Sequence, residues 1–256
     1  MKEQGKEYCD VTKLSVRLIN KSVAKDIIVQ HHYSHLWTKV SYALGLFTSE
    51  VEEHPFFSGV EEKLIGVACY GDPIGRSAGQ SITPLLERTE VLELTRLFVF
   101  DGYGSNIESW FVSQTFKWLR ENTPHIKALI SYSDPKEGHC GTIYQATNWL
   151  YQGNKLRFND SWDFKWEEDG EWTHSRTSYV KFGTNDPKII QTLTQTPFWI
   201  RKSPRKHRYV YILVSGGERR KLLKNLKHPL FPYPKENEQF VEEVHKLEPI
   251  NLENSK

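Results

Sequence analysis

Polar side chains that could do chemistry follow two predicted strands in one stretch of the chain, residues 92–153. Asp101 and the glycines of DGYGSN follow the first strand, and Asp134 and His139 follow the second. A carboxylate such as Asp134 can take a proton as a general base. A carboxylate followed by Pro135 is also typical of an Asx turn or a helix cap. The spacing predicts a proton-transfer site at these strand ends and leaves a capping role for Asp134 open.

Two other features of this stretch indicate ligand binding. Arg96 lies within a predicted apolar strand, and because a buried arginine is costly unless paired, it predicts a paired guanidinium that faces a ligand. Ser109 begins the next helix without a visible base partner, so it is expected to bind phosphate or to orient a carboxylate rather than to act as a nucleophile. Gly102, Gly104 and Ser105 precede that helix, where backbone N–H groups can bind an anion.

The predicted elements follow the order β-α-β-β-β-α-β-α-β-β. Strands at LELTRLFVF and IKALISYS flank a helix that Pro124 ends, so they should be parallel neighbours. TIYQATNWLYQ is predicted to be a helix that Gly153 closes, and KLRFNDSWDFKW and THSRTSYVKFG to be strands. Ser22 is expected to cap the first helix, GVEEK to be a turn or loop, and DPIGRSAGQS to be a flexible loop near a site. The fold class predicted is α/β (α+β), with a mixed central sheet flanked by helices.

Composition predicts a soluble, cytoplasmic protein. The N-terminus, MKEQGKEYCD, is charged, and no apolar run approaches the roughly 20 residues that a membrane span needs. Cys9, Cys69 and Cys140 are odd in number and widely spaced, which favours a reducing compartment.

Basic residues are concentrated towards the C-terminus. From Pro197 to His228 there are ten Lys or Arg and one acid, Glu218. This segment predicts contacts with the phosphate backbone of nucleic acid, although a solvated helix face with a charged loop explains it equally well. The candidate contact residues are Arg201, Lys202, Arg205, Lys206 and Arg208. We predict a core domain over residues 13–183, a basic extension over 184–234 that packs on the core and contacts DNA, and a weakly ordered acidic tail over 235–256.

The order of elements resembles the Gcn5-related N-acetyltransferase fold. In detail, ELTRLF, ESWFVSQ, ISYSDP with GHCGTIYQATNW, and RKHRYVYIL resemble the phage Mom-type DNA modification proteins, over about residues 15–234. The resemblance implies an acyltransferase-like transferase that adds a carbamoylmethyl-type group to the exocyclic amine of adenine in duplex DNA and so protects phage DNA from host restriction. It implies acetyl-CoA or a related acyl-CoA as cofactor, although the usual coenzyme A fingerprint is reduced here to DGYGSN.

The resemblance also implies roles for single residues. Arg96, Ser109, Asp134 and Tyr144 match positions associated with activity, and His32 matches less closely. Tyr144 would be the general acid toward a departing thiolate, which a phenol of reference pKa about 10 can be, although a core tyrosine is the alternative. Asp134 would accept a hydrogen bond from the adenine amine or take its proton.

HHYSH has two interpretations. His31 and His35 are four residues apart, as two metal ligands on one helical face would be, with His32 between them. No third ligand can be named, and the resemblance hints at iron rather than zinc. The same rings could instead lie beside an extruded base. The aromatic residues available for stacking on such a base are Trp37, Trp110, Trp149 and Trp162.

Two other functions stay open from the sequence. One is a conventional acetyl-CoA-dependent N-acetyltransferase that acts on a small amine or a protein, and the other is a DNA-binding protein without enzymatic activity. The partner expected is double-stranded DNA, with no membrane and with homodimerisation left open, in the cytoplasm of the host cell.

Overall fold

A mixed β-sheet organises most of the chain in the computed structural model, which describes residues 10–54, 57–73, 77–154, 162–203, 205–235 and 243–250. The strands are β1 (Leu14–Leu18), β2 (Tyr42–His54), β3 (Phe57–Gly71), β4 (Val91–Val99), β5 (Ala128–Ser133), β6 (Leu150–Tyr151), β7 (Trp162–Lys165), β8 (Thr173–His174), β9 (Phe198–Lys202), β10 (His207–Ile212) and β11 (Val244–Leu247). The helices are α1 (Lys21–His31), α2 (Ala78–Ile82), α3 (Ile107–Asn122), α4 (Thr142–Ala146), α5 (Ser175–Phe182), α6 (Pro187–Leu193) and α7 (Gly216–Lys224).

The order and direction of the strands confirm the predicted fold class. The larger sheet has the order β1-β2-β3-β4-β5-β10-β6. Strands β1 to β4 pair antiparallel, and β4 pairs with β5 in parallel, as the crossover through α3 requires. The smaller sheet has the order β11-β9-β7-β8.

Apolar side chains cover both faces of the larger sheet. On one face Leu94 and Leu129 pack with the buried side of α3, including Phe111. On the other face Val91 and Val210 pack in a second cluster that includes residues of α2 and α7. Successive strand residues point to opposite faces, so these two clusters explain why the central strands read as nearly continuous apolar runs.

The first helix is capped two residues earlier than predicted. Asn20 is the N-cap, and its side-chain oxygen accepts from the backbone N–H of Ser22, so Ser22 lies inside α1. The helix ends at His31, with His32 as its C-cap.

Several predicted elements differ from the structure because tertiary pairing decides them. The helix predicted over TIYQATNWLYQ ends at Ala146, and Leu150 and Tyr151 instead form β6 against β10. THSRTSYVKFG is a strand only over Thr173–His174, which form β8, and the rest is the helix α5, in which Ser175 and Ser178 are buried at helical spacing. GVEEK belongs to β3, whose pairing with β2 extends to His54↔Phe57, and DPIGRSAGQS contains the start of α2. Strand β9 was not predicted.

Contacts divide the chain into two compact units whose boundaries differ from the predicted domains. The first unit comprises Met1–Tyr132, Gly141–Gln152 and Arg208–Tyr233, and the second comprises Ser133–Cys140, Gly153–His207 and Pro234–Lys256. Strand β10, which was placed in a basic extension, is a strand of the larger sheet, where Tyr209, Val210 and Ile212 are buried in its core. Within the predicted tail, β11 pairs with β9. In the part of the chain that the structure describes, no helix is both long and apolar enough to cross a membrane.

The start of α4 predicts an unusual sensitivity to substitution. Gly141 precedes this helix at φ +81°, and a Cβ there would overlap the ring of Tyr209. Gly183 has φ +69° with open space where a Cβ would lie, so it is a matched control for backbone strain alone. We expect Gly141→Ala to lower the free energy of unfolding by about 1–3 kcal/mol more than Gly183→Ala. Urea unfolding measures the difference, and equal losses would contradict the crowding.

Candidate active site

The two central parallel strands open a gap at their carboxyl ends. Strands β4 and β5 pair over Val91–Glu93 and Ala128–Ile130 and both continue beyond that segment. Ligands of open α/β sheets bind beyond the carboxyl ends of parallel strands. The candidate active site lies where the two strands part, at Leu94 and Ser131.

Ser131 joins the two strands to the helix that follows them. Its buried Oγ lies 2.8 Å from the carbonyl oxygen of Leu94 and 2.8 Å from the Tyr144 hydroxyl. Ser131 Oγ is the donor toward both oxygens, so its one proton is shared between the Leu94 carbonyl and the Tyr144 hydroxyl. The Tyr144 oxygen therefore accepts from Ser131, and the phenol keeps its own proton for another acceptor.

The surroundings of Tyr144 hold it as a neutral phenol. Burial raises the pKa of Tyr144 to about 12; the hydrogen bond from Ser131 opposes this, and the negative charges of Tyr33, when it is ionised, and of Glu93 add to the rise. The ring packs 5.2 Å from Trp149 and 4.9 Å from Tyr209, centroid to centroid. At neutral pH this tyrosine is a proton donor and not a base.

Arg96 ties β4 to the segment after α1. Its Nε donates to the carbonyl of Leu36 at 3.0 Å, and one terminal nitrogen donates to the carbonyl of Thr95 at 2.6 Å. Both acceptors are neutral, and no carboxylate within the described residues forms an ion pair with Arg96. The predicted arginine is therefore held by hydrogen bonds while its positive charge stays unneutralised.

The histidines do not form the arrangement that a metal needs. Because α1 ends at His31, His35 does not follow it on one helical face, and its ring nitrogen lies 2.9 Å from the carbonyl of Val29. His31 packs against Phe98. Buried His32 accepts from the backbone N–H of Ser34 at Nδ1. Within the described ranges no three His, Cys, Asp or Glu side chains could hold a metal, so the ligand set suggested by HHYSH does not fit iron.

A cleft lies beside the start of α3. It has a volume of about 460 Å³ and is lined by the first turns of α3, by the end of α4 and by Tyr211. Ser105 and Ser109 line it together, as predicted for ligand-binding residues, and the buried Oγ of Ser105 has no hydrogen-bond partner in the part of the chain described. Gly102 and Gly104 have positive φ, and Asn106 at the N-cap forms no side-chain capping bond. The N–H groups at this helix start are suited to an anion.

Asp134 belongs to the second unit, whereas Tyr144 belongs to the first. One carboxylate oxygen accepts from the backbone N–H of Lys136 at 3.1 Å, and the other lies 2.9 Å from Nζ of Lys206. The capping alternative for Asp134 is therefore present in the structure. A role as general base would require the carboxylate to exchange Lys206 for substrate.

Two of the five predicted DNA contacts are bonded inside the fold. Arg201 is buried against Asp163, at 3.3 Å, and its guanidinium lies 4.4 Å above the ring of Trp172. Arg208 is buried and donates to both oxygens of Ser81, at 3.0 and 2.8 Å. Their burial corrects the prediction that they contact DNA, because an arginine held in this way is not on a duplex-facing surface.

The other three predicted contacts stay predictions. Lys202 and Lys206 are exposed, and Arg205 is half-buried. Further exposed cations lie on and after α7, at Arg220, Lys221, Lys224 and Lys227.

Sequence reasoning missed two residues that act on the candidate site. Glu93 lies between Leu92 and Leu94 on β4. Arg96 was selected because it is a charged residue within an apolar strand, and the same criterion would have selected Glu93. Tyr33 influences the Tyr144 hydroxyl and has a ring that is 55% exposed. Of the stacking candidates, Trp149 is fully buried in the core and is not available to a base.

The arrangement confirms a mixed central sheet flanked by helices. The chain belongs to the Mom protein family, which matches residues 13–235. It is similar to the methylcarbamoylase Mom of Escherichia phage Mu, with 26% identity over 230 residues that cover 87% of this chain and 84% of that protein. The resemblance to Mom-type proteins and the prediction of a transferase are therefore confirmed.

Solved acetyltransferase structures are similar at a low level. The acetyltransferase YncA of Salmonella typhimurium, solved with acetyl-CoA, has 9% identity, covers 80% of this chain and 96% of its own, and has a TM-score of 0.39. The ribosomal-protein-S5-alanine acetyltransferase of Vibrio fischeri has 12% identity, covers 78% and 93%, and also has a TM-score of 0.39. The fold class rests on the order and pairing of this chain's own strands.

The Ser131 hydroxyl predicts an order of stability losses. Ser131→Ala removes the donor from both Leu94 O and the Tyr144 hydroxyl, so it should cost about 1–3 kcal/mol. Tyr144→Phe removes only one of the two acceptors of Ser131 and should cost about 0.5–1.5 kcal/mol. Ser113→Ala, at a serine that bonds only within exposed α3, is the control. Denaturant unfolding of the three variants measures the order, and a larger loss for Tyr144→Phe would contradict it.

The raised pKa of Tyr144 predicts a loss of stability in alkali. An unfolded tyrosine loses its proton near pH 10, whereas Tyr144 in the folded protein keeps its proton until about 12. As pH rises, the tyrosine ionises first in the unfolded state, and this ionisation stabilises the unfolded state. The free energy of unfolding should therefore fall between these two pH values, by up to about 1.4 kcal/mol per pH unit for one proton. Urea unfolding at a series of pH values should show that Tyr144→Phe loses the part of this pH dependence that one proton contributes. An unchanged slope would mean that Tyr144 titrates as if it were exposed.

Proposed function

We propose that this protein adds a carbamoylmethyl-type group to the exocyclic amine of adenine in duplex DNA. Its membership of the Mom family and its similarity to a methylcarbamoylase support the class of reaction. The observation that carries the proposal is the chain from half-buried Tyr144 through buried Ser131 to Leu94 where β4 and β5 part. This chain supplies a neutral proton donor at the proposed site.

The proposed transfer forms one bond and breaks one. The amine nitrogen attacks the donor carbon, the bond from that carbon to the leaving atom breaks, and one amine proton passes to a base. Tyr144 gives its phenolic proton to the leaving atom, after which the Tyr144 oxygen can recover a proton through Ser131. Because the Tyr144 oxygen accepts from Ser131 in the resting site, its own proton can be directed at the leaving atom when substrate binds.

Two carboxylates are candidates for the base. Asp134, suggested by the family resemblance, is occupied by Lys136 and Lys206 and would have to be released. Glu93 lies close enough to raise the pKa of Tyr144 and is half-buried on β4. We propose that one of these two takes the amine proton.

An acyl-CoA donor fits the start of α3. The anionic phosphates would meet the N–H groups of the turn at Gly102 and Gly104 and of the first turn of α3, with the unsatisfied Ser105 hydroxyl beside them. When bound, such a cofactor would supply a thioester. Because attack at the thioester carbon gives an acyl group, the carbamoylmethyl product would need a donor that already carries the amide nitrogen and has its leaving group on the methylene carbon. We propose that Arg96, whose charge no carboxylate of the described residues neutralises, binds the same donor.

Duplex DNA must present its adenine outside the stack for this chemistry. An enzyme that acts on a base extrudes it and stacks it against aromatic side chains. Tyr33 is 55% exposed and its ring packs against that of His32, so we propose it as the stacking surface. In the host cytoplasm, adenine modified in this way would protect phage DNA from restriction.

Co-expression with plasmid DNA tests the function and the two catalytic assignments. Mass spectrometry of digested nucleosides should detect a carbamoylmethyl adduct, which exceeds an acetyl adduct by one nitrogen and one hydrogen. Tyr144→Phe should lower the modified adenine about a hundredfold, the scale of losing a general acid. Tyr70→Phe is the matched control, since Tyr70 is another buried tyrosine, bonded to Thr115, in the same core.

The base is assigned on the same preparations. Asp134→Asn and Glu93→Gln are compared as folded proteins. The variant that lowers modification about a hundredfold identifies the general base. Acetylated adenine, or no modified adenine from folded wild-type protein, would contradict the proposed reaction.

A further inference from the structure

A short arm after α7 exposes two large apolar side chains side by side. We define the proline arm as residues His228–Tyr233, HPLFPY. Leu230 and Phe231 are each 48% exposed. Adjacent exposed apolar residues of this size indicate a surface that meets a partner more often than a chance position does.

The backbone of the proline arm is fixed. The backbone N–H of Phe231 donates to Tyr151 O at 3.0 Å, and the Tyr233 hydroxyl donates to Trp149 O at 2.7 Å. Just before the arm, the N–H of Lys227 donates to Ile82 O at 2.8 Å. Pro229 and Pro232 lock their φ angles as well. A rigid backbone presents its two apolar side chains with little entropy left to lose on binding.

The proline arm is attached to the segment that carries the proposed proton donor. Trp149, which accepts from Tyr233, donates its backbone N–H to Tyr144 O at 2.9 Å, and its ring contacts the Tyr144 ring. Tyr151, which accepts from Phe231, lies two residues further on β6. A ligand on the arm is thus linked to Tyr144 by a single layer of bonded residues.

Positive charge precedes the proline arm. Lys221, Lys224 and Lys227 are exposed at intervals of three residues. Glu218, the acid of α7, lies 3.0 Å from Nζ of Lys127 and is neutralised there. Exposed cations of this kind bind the phosphates of duplex DNA. Apolar side chains beside such cations are typical of proteins that open the base stack with a side chain.

We infer that Leu230 and Phe231 form a wedge that enters the base stack of duplex DNA and occupies the space left by the extruded adenine, while Lys221, Lys224 and Lys227 bind the adjacent phosphates. The inference rests on the proposed function and adds how the adenine to be modified is brought out of the duplex. Opening a stack is costly, and an apolar side chain that refills the gap recovers part of that cost. A fixed arm supplies the wedge without first becoming ordered.

The first test is modification in cells. The double variant Leu230→Ala, Phe231→Ala should lower carbamoylmethyl adenine about tenfold, because refilling the gap supports extrusion. Its melting temperature should match the wild type, since both side chains are half-exposed. Leu18→Ala is the control, because Leu18 is 52% exposed on β1, at the opposite edge of the larger sheet from β6.

The second test is binding to defined duplexes by fluorescence anisotropy. Wild-type protein should bind a duplex with one abasic site about tenfold more tightly than the intact duplex of the same sequence, since extrusion is already complete there. The Leu230→Ala, Phe231→Ala variant should bind the intact duplex as the wild type does and lose the preference for the abasic duplex. Lys221→Gln with Lys224→Gln should weaken both duplexes equally and reduce the salt dependence.

The outcomes separate the wedge from the reaction. Normal modification by the folded arm variant, or an abasic preference that survives in it, would overturn the wedge and leave the proposed function standing. A wild-type dimer that the arm variant converts to monomer, seen by light scattering, would overturn it by assigning the arm to a second copy of the chain. Folded wild-type protein that yields no modified adenine would overturn the proposed function and the wedge with it.

Discussion

One serine hydroxyl, placed where two parallel strands part, governs the candidate active site. Ser131 binds the Leu94 carbonyl, which the opening of β4 and β5 would otherwise leave unpaired, and at the same time it binds Tyr144. Because a buried carbonyl without a donor is costly, the hydroxyl that stabilises the gap is needed for folding. The same bond orients the phenol, so stability and chemistry depend on one atom. The pKa of Tyr144 follows from this position, since the opening is lined by core residues and not by water.

Charge in this protein has to be interpreted together with burial. A count of ten cations in the basic segment suggests one continuous surface for nucleic acid, yet Arg201 and Arg208 are bonded inside the fold. Arg96 shows the reverse, because it is half-buried but bonded only to carbonyls and keeps its charge. The cations on and after α7 remain exposed, and the proline arm adjoins them. The surface proposed to meet DNA is therefore smaller and more apolar than composition suggests.

The two carboxylates considered as bases illustrate different constraints. Asp134 caps the turn at Lys136 and pairs with Lys206, so its free energy is already lowered by two partners. Glu93 lies half-buried on β4, and its charge raises the pKa of Tyr144. Motif resemblance favours Asp134, whereas closeness to the proposed proton donor favours Glu93.

The sequence by itself determined the elements whose signals are local. Leu94 to Phe98, the apolar face of α3 and the turn at Gly102 and Gly104 were predictable, because strand formers, helical spacing and glycine act over a few residues. So was the family, since its motifs are continuous. The sequence could not determine that α4 ends at Ala146 or that Ser175 begins a helix, because strand pairing and burial by distant residues decide both. Nor could it give the Ser131 bridge, the burial of Arg208 or the attachment of the proline arm to β6. Each of these joins residues far apart in the chain, and the energy of such contacts exists only once tertiary structure has brought them together.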